Sequence, residues 1–292
     1  MALAGALALA LVLALPGAAH AYSVTYNGFA GATGLTTAYD ASLTTDGVAA
    51  DGTVLQLNPA QQLQDGAGYL ANPVTLGAGG AFTTSFQFRF LDTGGVGPAD
   101  GMTFALTGTD ANDKGTFGLT NGHNLGYAWM PNSIAVAFTT FQTNMVSIDV
   151  GGSLTNFAAA SPYGVTSCDS GTGLGCMANG DLWTVNIGYD GSGLSVSVQD
   201  GTAAVQDVIN DYPISVDSAL AGRNSAYVGF SAATGAGIQT HNVVDWSFAN
   251  TAPLQSDPPT GVPEPGSLAL LGSGVGLLLG VMSWQRRRRA RA

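Results

Sequence analysis

Carboxylates dominate the chemistry open to this chain. It carries eighteen Asp, one Glu (Glu264, near the C-terminus) and only eight Lys and Arg. Cleaving a glycosidic bond takes two carboxylates at a set separation, ~5–5.5 Å in retaining enzymes, which same-face strand positions could supply. Yet no Asp pair falls on one strand-like run: Asp149 and Asp245 each stand alone. His123 and His241 are paired with no nucleophile in sequence, and His241 fits a structural strand position. Asp110-Ala111-Asn112-Asp113-Lys114-Gly115 lacks the spacing and terminal Glu of an EF-hand, and Lys114 would oppose a cation, so it reads as a solvated turn. Cys168 and Cys176, the only cysteines, flank a Gly-rich stretch. In an oxidising compartment they form a local disulfide that fixes this loop and adds modestly to overall stability; two free thiols are the alternative. With no histidine nearby they do not make a metal site.

The elements that must position these groups are strands. Phe82 to Phe90 puts Phe82, Phe86, Phe88 and Phe90 on one face, with Thr84 the polar member of the row. Trp183-Thr184-Val185-Asn186-Ile187 and Leu194-Ser195-Val196-Ser197-Val198 alternate in the same half-buried pattern. Ile134 to Phe138 and Tyr227 to Phe230 are further strands. Gly77 to Gly80, Asp190-Gly191-Ser192-Gly193 and Asp200-Gly201 supply turns. No long helical period and no internal repeat interrupts them. The expectation is all-β, an antiparallel β-sandwich in one domain over residues 22–250.

Both ends read as export signals. Leu3 to Leu15 is apolar, Pro16-Gly17 breaks the run, and Ala19-His20-Ala21 offers a signal-peptidase site. The expected signal peptide is 1–21 and the mature start Tyr22, although no Lys or Arg precedes the apolar core. Residues 251–261 begin a stiff, Pro-rich linker. In 262–292, Val262-Pro263-Glu264-Pro265 precedes the uncharged run Leu268 to Trp284 and the basic end Arg286-Arg287-Arg288-Arg289-Ala290-Arg291. That run is short for a transmembrane helix, and positive charge would hold its end on the cytoplasmic side. These residues resemble the PEP-CTERM sorting tag of Gram-negative bacteria, with Pro263, Glu264 and Pro265 as the motif. The resemblance implies an exosortase-type processing enzyme as partner, transient anchoring in the inner membrane, and delivery to the envelope, surface or extracellular matrix. A plain tail anchor is the alternative. Between the tags, eighteen Asp face only Arg89, Lys114 and Arg223, which argues against nucleic acid.

The order of motifs across the domain resembles the legume-type (L-type) lectins, a concanavalin A-like jelly roll. The pieces are the Phe-rich strand, Pro98-Ala99-Asp100-Gly101, Gly122-His123-Asn124-Leu125-Gly126-Tyr127, the strand Ile134 to Phe141, Ala226 to Gly235, and His241 to Phe248. The resemblance implies a sugar site. Asp100 accepts hydrogen bonds from two sugar hydroxyls after a cis Ala99–Asp100 peptide, and Phe141 packs against the pyranose ring. Gly122 substitutes for a loop Gly whose usual position His123 takes. Asn144 stands one step late for the family's Asn, a position held by Thr143. Gly235 belongs to the specificity-setting loop. The family's calcium and transition-metal ligands depart from the pattern: the Glu and Asp positions are Ala137 and Thr139, and the Asp and His loop is missing before Met145-Val146-Ser147-Ile148-Asp149-Val150. No metal pair and no other cofactor is expected.

The resulting expectation is a non-catalytic, carbohydrate-binding protein whose partner is a glycan or exopolysaccharide. A structural matrix protein of the same fold that has lost sugar binding, and a glucanase-type glycosidase, are the alternatives.

Overall fold

Alternating runs bounded by Gly and Asp turns become strands throughout. The computed structural model describes residues 21–108, 122–141, 144–154 and 177–250. Among these, the first strands are β1 (Ser23–Tyr26), β2 (Leu35–Tyr39), β3 (Ser42–Thr45), β4 (Thr53–Asn58), β5 (Asp65–Leu70) and β6 (Val74–Thr75). The central ones are β7 (Phe82–Gly95), β8 (Gly101–Thr107), β9 (Ser133–Thr139) and β10 (Met145–Val150). Then come β11 (Trp183–Tyr189), β12 (Gly193–Asp200), β13 (Gln206–Pro213), β14 (Ser225–Ala233) and β15 (Gly237–Ala249), with one short helix, α1 (Val216–Ala219).

Two antiparallel sheets result. One runs β13-β12-β11-β7-β15-β4-β3, with β1 also on β15; the other runs β10-β9-β8-β14-β5-β2, with β6 also on β14. The Phe row of β7 is fully buried at Phe86, Phe88 and Phe90. It meets large side chains of the facing sheet: Phe86 lies 5.0 Å from Phe230, edge-on, and 6.0 Å from Phe104 between ring centroids. Each such ring contributes about 1.5–3 kcal/mol by leaving water. Thr84 keeps its place in this row because its hydroxyl donates to the Ser247 carbonyl (2.7 Å) and accepts from the Trp246 indole N–H (2.9 Å).

The second sheet is covered on its outer side as well. Its outward positions are small, such as Ala67, Ala105 and Ala135, and the segment after Gly122 lays Tyr127 and Met130 on them. Ser231 donates to the Leu125 carbonyl (2.7 Å), and the Tyr127 hydroxyl donates to the Asp149 carbonyl (3.0 Å). This clamp fixes where Gly122 sits. Among the described residues no helix is long and apolar enough to cross a membrane. The signal peptide over 1–20, Cys168 and Cys176, the 251–261 linker, and the tag with Pro263, Glu264, Pro265 and its transmembrane helix lie outside the described residues.

Candidate functional site

Asp100 immediately precedes β8, and its backbone is held on both sides. Its N–H donates to the Ala233 carbonyl at the end of β14 (3.1 Å), and its carbonyl accepts from Thr140 N–H just past β9 (3.0 Å). The Ala99–Asp100 peptide is cis, as the resemblance implied. Gly101 follows with φ 139°, and a Cβ there would overlap the Phe138 carbonyl, so only glycine fits this close strand approach.

Two loops close over the carboxylate. A Cβ on Gly122 would overlap Asp100 Oδ2 and the Gly235 nitrogen, and a Cβ on Gly235 would lie 3.2 Å from the same oxygen. Of the five residues expected to form the site, Asp100, Gly122 and Gly235 are therefore in direct contact. His123, the next residue, is exposed. Thr234 pins the β14–β15 loop from below: its N–H donates to the Gln64 carbonyl (2.9 Å) and its hydroxyl to the Gln61 carbonyl (2.5 Å).

The carboxylate is buried, with 5 % exposure, and Oδ2 has no hydrogen-bond partner among the described residues. Burial pushes its pKa up to about 6; the Gly235 N–H opposes the rise and the Asp65 charge adds to it. A buried polar atom without a partner costs about 1–3 kcal/mol. Water, an ion or a ligand can supply the missing partner of such a group.

Phe141 follows Thr140 directly and is half-buried, which leaves part of its surface for an apolar contact. Asn144 stands directly before β10. It is buried, and its Oδ1 accepts from Met177 N–H (3.0 Å), which commits one amide atom to the fold. Three buried polar groups on the elements that hold Asp100 and Gly122 were not read from the sequence. Asp65, paired with Ala233 across β5 and β14, brings a second carboxylate close enough to act on Asp100. The Thr140 hydroxyl and the Asn124 amide nitrogen are buried without partners among the described residues. Leu63 and Val96 form an exposed apolar rim, their N–H groups donating to the Gly235 (3.3 Å) and Ala236 (3.4 Å) carbonyls.

The two positions where the resemblance places metal-binding carboxylates hold Ala137 and Thr139. Ala137 lies buried between Thr103 and Ser147 on the neighbouring strands. Thr139 faces Gly101 and Met145, and its hydroxyl donates to the Met145 carbonyl (3.4 Å). Among the described residues no group of three His, Cys, Asp or Glu side chains converges. Neither Ala137 nor Thr139 offers a carboxylate of the kind calcium and transition-metal sites use.

Comparison with known proteins bears on the family and the fold. A family model described as the legume lectin domain matches residues 21–263, and one described as the PEP-CTERM protein-sorting motif matches 261–289. A lectin alpha chain from Lablab purpureus is 30% identical over 198 residues, covering 63% of this chain and 64% of its own length. The leucoagglutinating phytohemagglutinin of Phaseolus vulgaris is 30% identical over 191 residues, 60% of this chain and 62% of its own. The chain thus matches less than two thirds of either relative's length. A Bauhinia forficata lectin solved with GalNAc superposes with a TM-score of 0.60 at 21% identity, covering 79% of this chain and 98% of that one. The metal-free lectin I-B4 of Griffonia simplicifolia gives 0.59 at 22%, covering 79% and 100%.

Proposed function

This chain belongs to the legume lectin domain family, and on that premise we propose that it is a non-catalytic protein that binds carbohydrate through Asp100. The observation that carries the reading is the buried Oδ2 without a partner, held against Gly122 and Gly235. An ionised carboxylate accepts two sugar hydroxyls at once, and charge-assisted bonds of this kind are about twice as strong as neutral ones. Phe141 supplies an apolar surface for the C–H face of the ring. The Asn124 amide and the Thr140 hydroxyl are further groups a bound hydroxyl can satisfy. The Bauhinia forficata relative was solved with GalNAc, which makes that sugar one of the first to try.

In this reading the site needs no metal. Strand-end hydrogen bonds hold the Asp100 backbone, and the Thr234 bonds hold the loop opposite it. Packing does here what metal ligation would otherwise do.

The sorting motif matched at 261–289 marks the chain for export to the bacterial envelope or surface and for exosortase processing. We propose that the hydrophobic segment anchors it transiently in the inner membrane and that a surface glycan or exopolysaccharide is its ligand. A glycan array probed with the purified chain in chelator tests the reading. Binding to a defined sugar class supports it; no binding to any glycan favours a matrix protein that has lost the activity, and hydrolysis of an arrayed glucan favours a glycosidase.

A further inference from the structure

The strand that ends at the Asp100 site begins at a different cavity. β14 has nine residues, eight steps of about 3.3 Å, so its two ends lie roughly 26 Å apart. Beside its first residue, Arg223, Asn224 and Asp217 line a cavity of about 500 Å³ with the ring of Tyr189. That volume is the size of ordinary small-molecule sites.

Its walls follow from the sequence. The turn before β7 and the turn between β11 and β12 meet here with Gly79, Gly80 and Gly191, all at positive φ (69°, 83° and 106°). A Cβ on Gly79 would stand 3.2 Å from Gly191 Cα, and one on Gly80 3.4 Å from Val216 Cβ. Side chains at these turns would fill the slot. The Tyr189 hydroxyl is tied down, donating to the Ile214 carbonyl (3.0 Å) and accepting from Val216 N–H (3.3 Å), so the ring is a fixed wall.

The charges give the ligand class. Two arginines lie among the described residues, in a strongly acidic chain. Arg89 is paired with Asp46 at 3.6 Å. Arg223 has its guanidinium over Gly108 and no ion pair or side-chain hydrogen bond among the described residues. A guanidinium fork matches a carboxylate bidentately. Asp217 in the same lining is an acceptor for hydroxyl groups, and the Asn224 amide can donate or accept.

We propose that this cavity is a second binding site, for a carboxylate-bearing saccharide of the uronic acid type. Two sites at opposite ends of one domain would let a single chain bridge two glycan strands. The second site does not depend on the Asp100 reading.

Isothermal titration of the full chain with D-galacturonic acid and with D-galactose tests it, using Arg223→Gln and Asp100→Asn variants. The expected result is that galacturonic acid binds the unaltered chain at least tenfold more tightly than galactose. Arg223→Gln removes that preference, Arg223→Lys restores part of it, and Asp100→Asn leaves it intact. Arg223 is exposed, and an unchanged unfolding midpoint shows that its replacement leaves the fold in place. Failure to bind galacturonic acid, a preference for it that survives Arg223→Gln, or a preference that Asp100→Asn removes overturns the proposal.

Discussion

Gly122 and Asp100 are packed so closely that any side chain at position 122 would occupy the place of the Asp100 carboxylate oxygen. Position 122 has no left-handed backbone to explain a glycine. Its small size is required by the neighbouring carboxylate instead. Gly122→Ala should therefore act sterically, forcing Asp100 or the 234–237 loop aside at a cost of about 1–3 kcal/mol, the usual range for overpacking. Chemical denaturation measures the stability loss, and glycan binding should fall with it.

Burial also sets a pH signature. The folded Asp100 pKa, about 6, lies above its ordinary value of 3.8. The neutral form is therefore favoured by folding: this contribution is full below about pH 3.8 and is lost as pH rises through 6. Asn at this position removes it. Relative to Asp100→Asn, the unaltered chain should be at its best near pH 3.5 and should lose ground steadily up to about pH 7. His241, buried and neutral, is lowered from 6.5 to about 3, so its contribution is present above 6.5 and falls away toward pH 3. That slope is common to both proteins and cancels in the difference. Unfolding midpoints across pH 3.5–8 check it, and a flat difference would contradict a buried Asp100.

The same side chain that binds should thus destabilise the fold at neutral pH, a pattern found where function rather than stability has kept a residue.

In the core, Thr84 is the polar residue with a defined task. Thr84→Val keeps the shape but leaves the buried Trp246 indole N–H without its acceptor. The expected loss is about 1–3 kcal/mol in urea unfolding. Glycan binding, at residues remote in sequence, should be unaffected.

Metal removal gives a fourth outcome. With Ala137 and Thr139 in place of carboxylates, binding in EDTA should equal binding with calcium and manganese added. A titration in each buffer is the check, and loss of binding on chelation would show ligands outside the described residues.

The parts of this fold legible in the sequence are those with one wet face. β7, β11 and β12 alternate cleanly because water lies on one side of them. β5 reads Asp-Gly-Ala-Gly-Tyr-Leu and is buried at every position, because the segment following Gly122 covers the outer side of its sheet. Alternation vanishes there, and Asp65 was hidden with it. β1 and β3 have only four residues each, and β3 is largely exposed, so no hydrophobic row marked them. Asp100, Gly122 and Gly235 were found through motif order rather than periodicity. Asn124 and Thr140 emerged only from the accounting of buried polar atoms, which no pattern of residue types encodes.

The most direct test is calorimetric titration of an array-selected monosaccharide into the unaltered chain and into Asp100→Asn, in chelator at pH 7.5. Asn keeps the size of the side chain but replaces a charged double acceptor by a neutral one. Each charged hydrogen bond lost is worth roughly 1.5–3 kcal/mol, so losing two should weaken binding by a factor of a hundred or more. The account predicts clear heat of binding for the unaltered chain and none measurable for the variant. Equal affinity in the two proteins would place the sugar site elsewhere and contradict it.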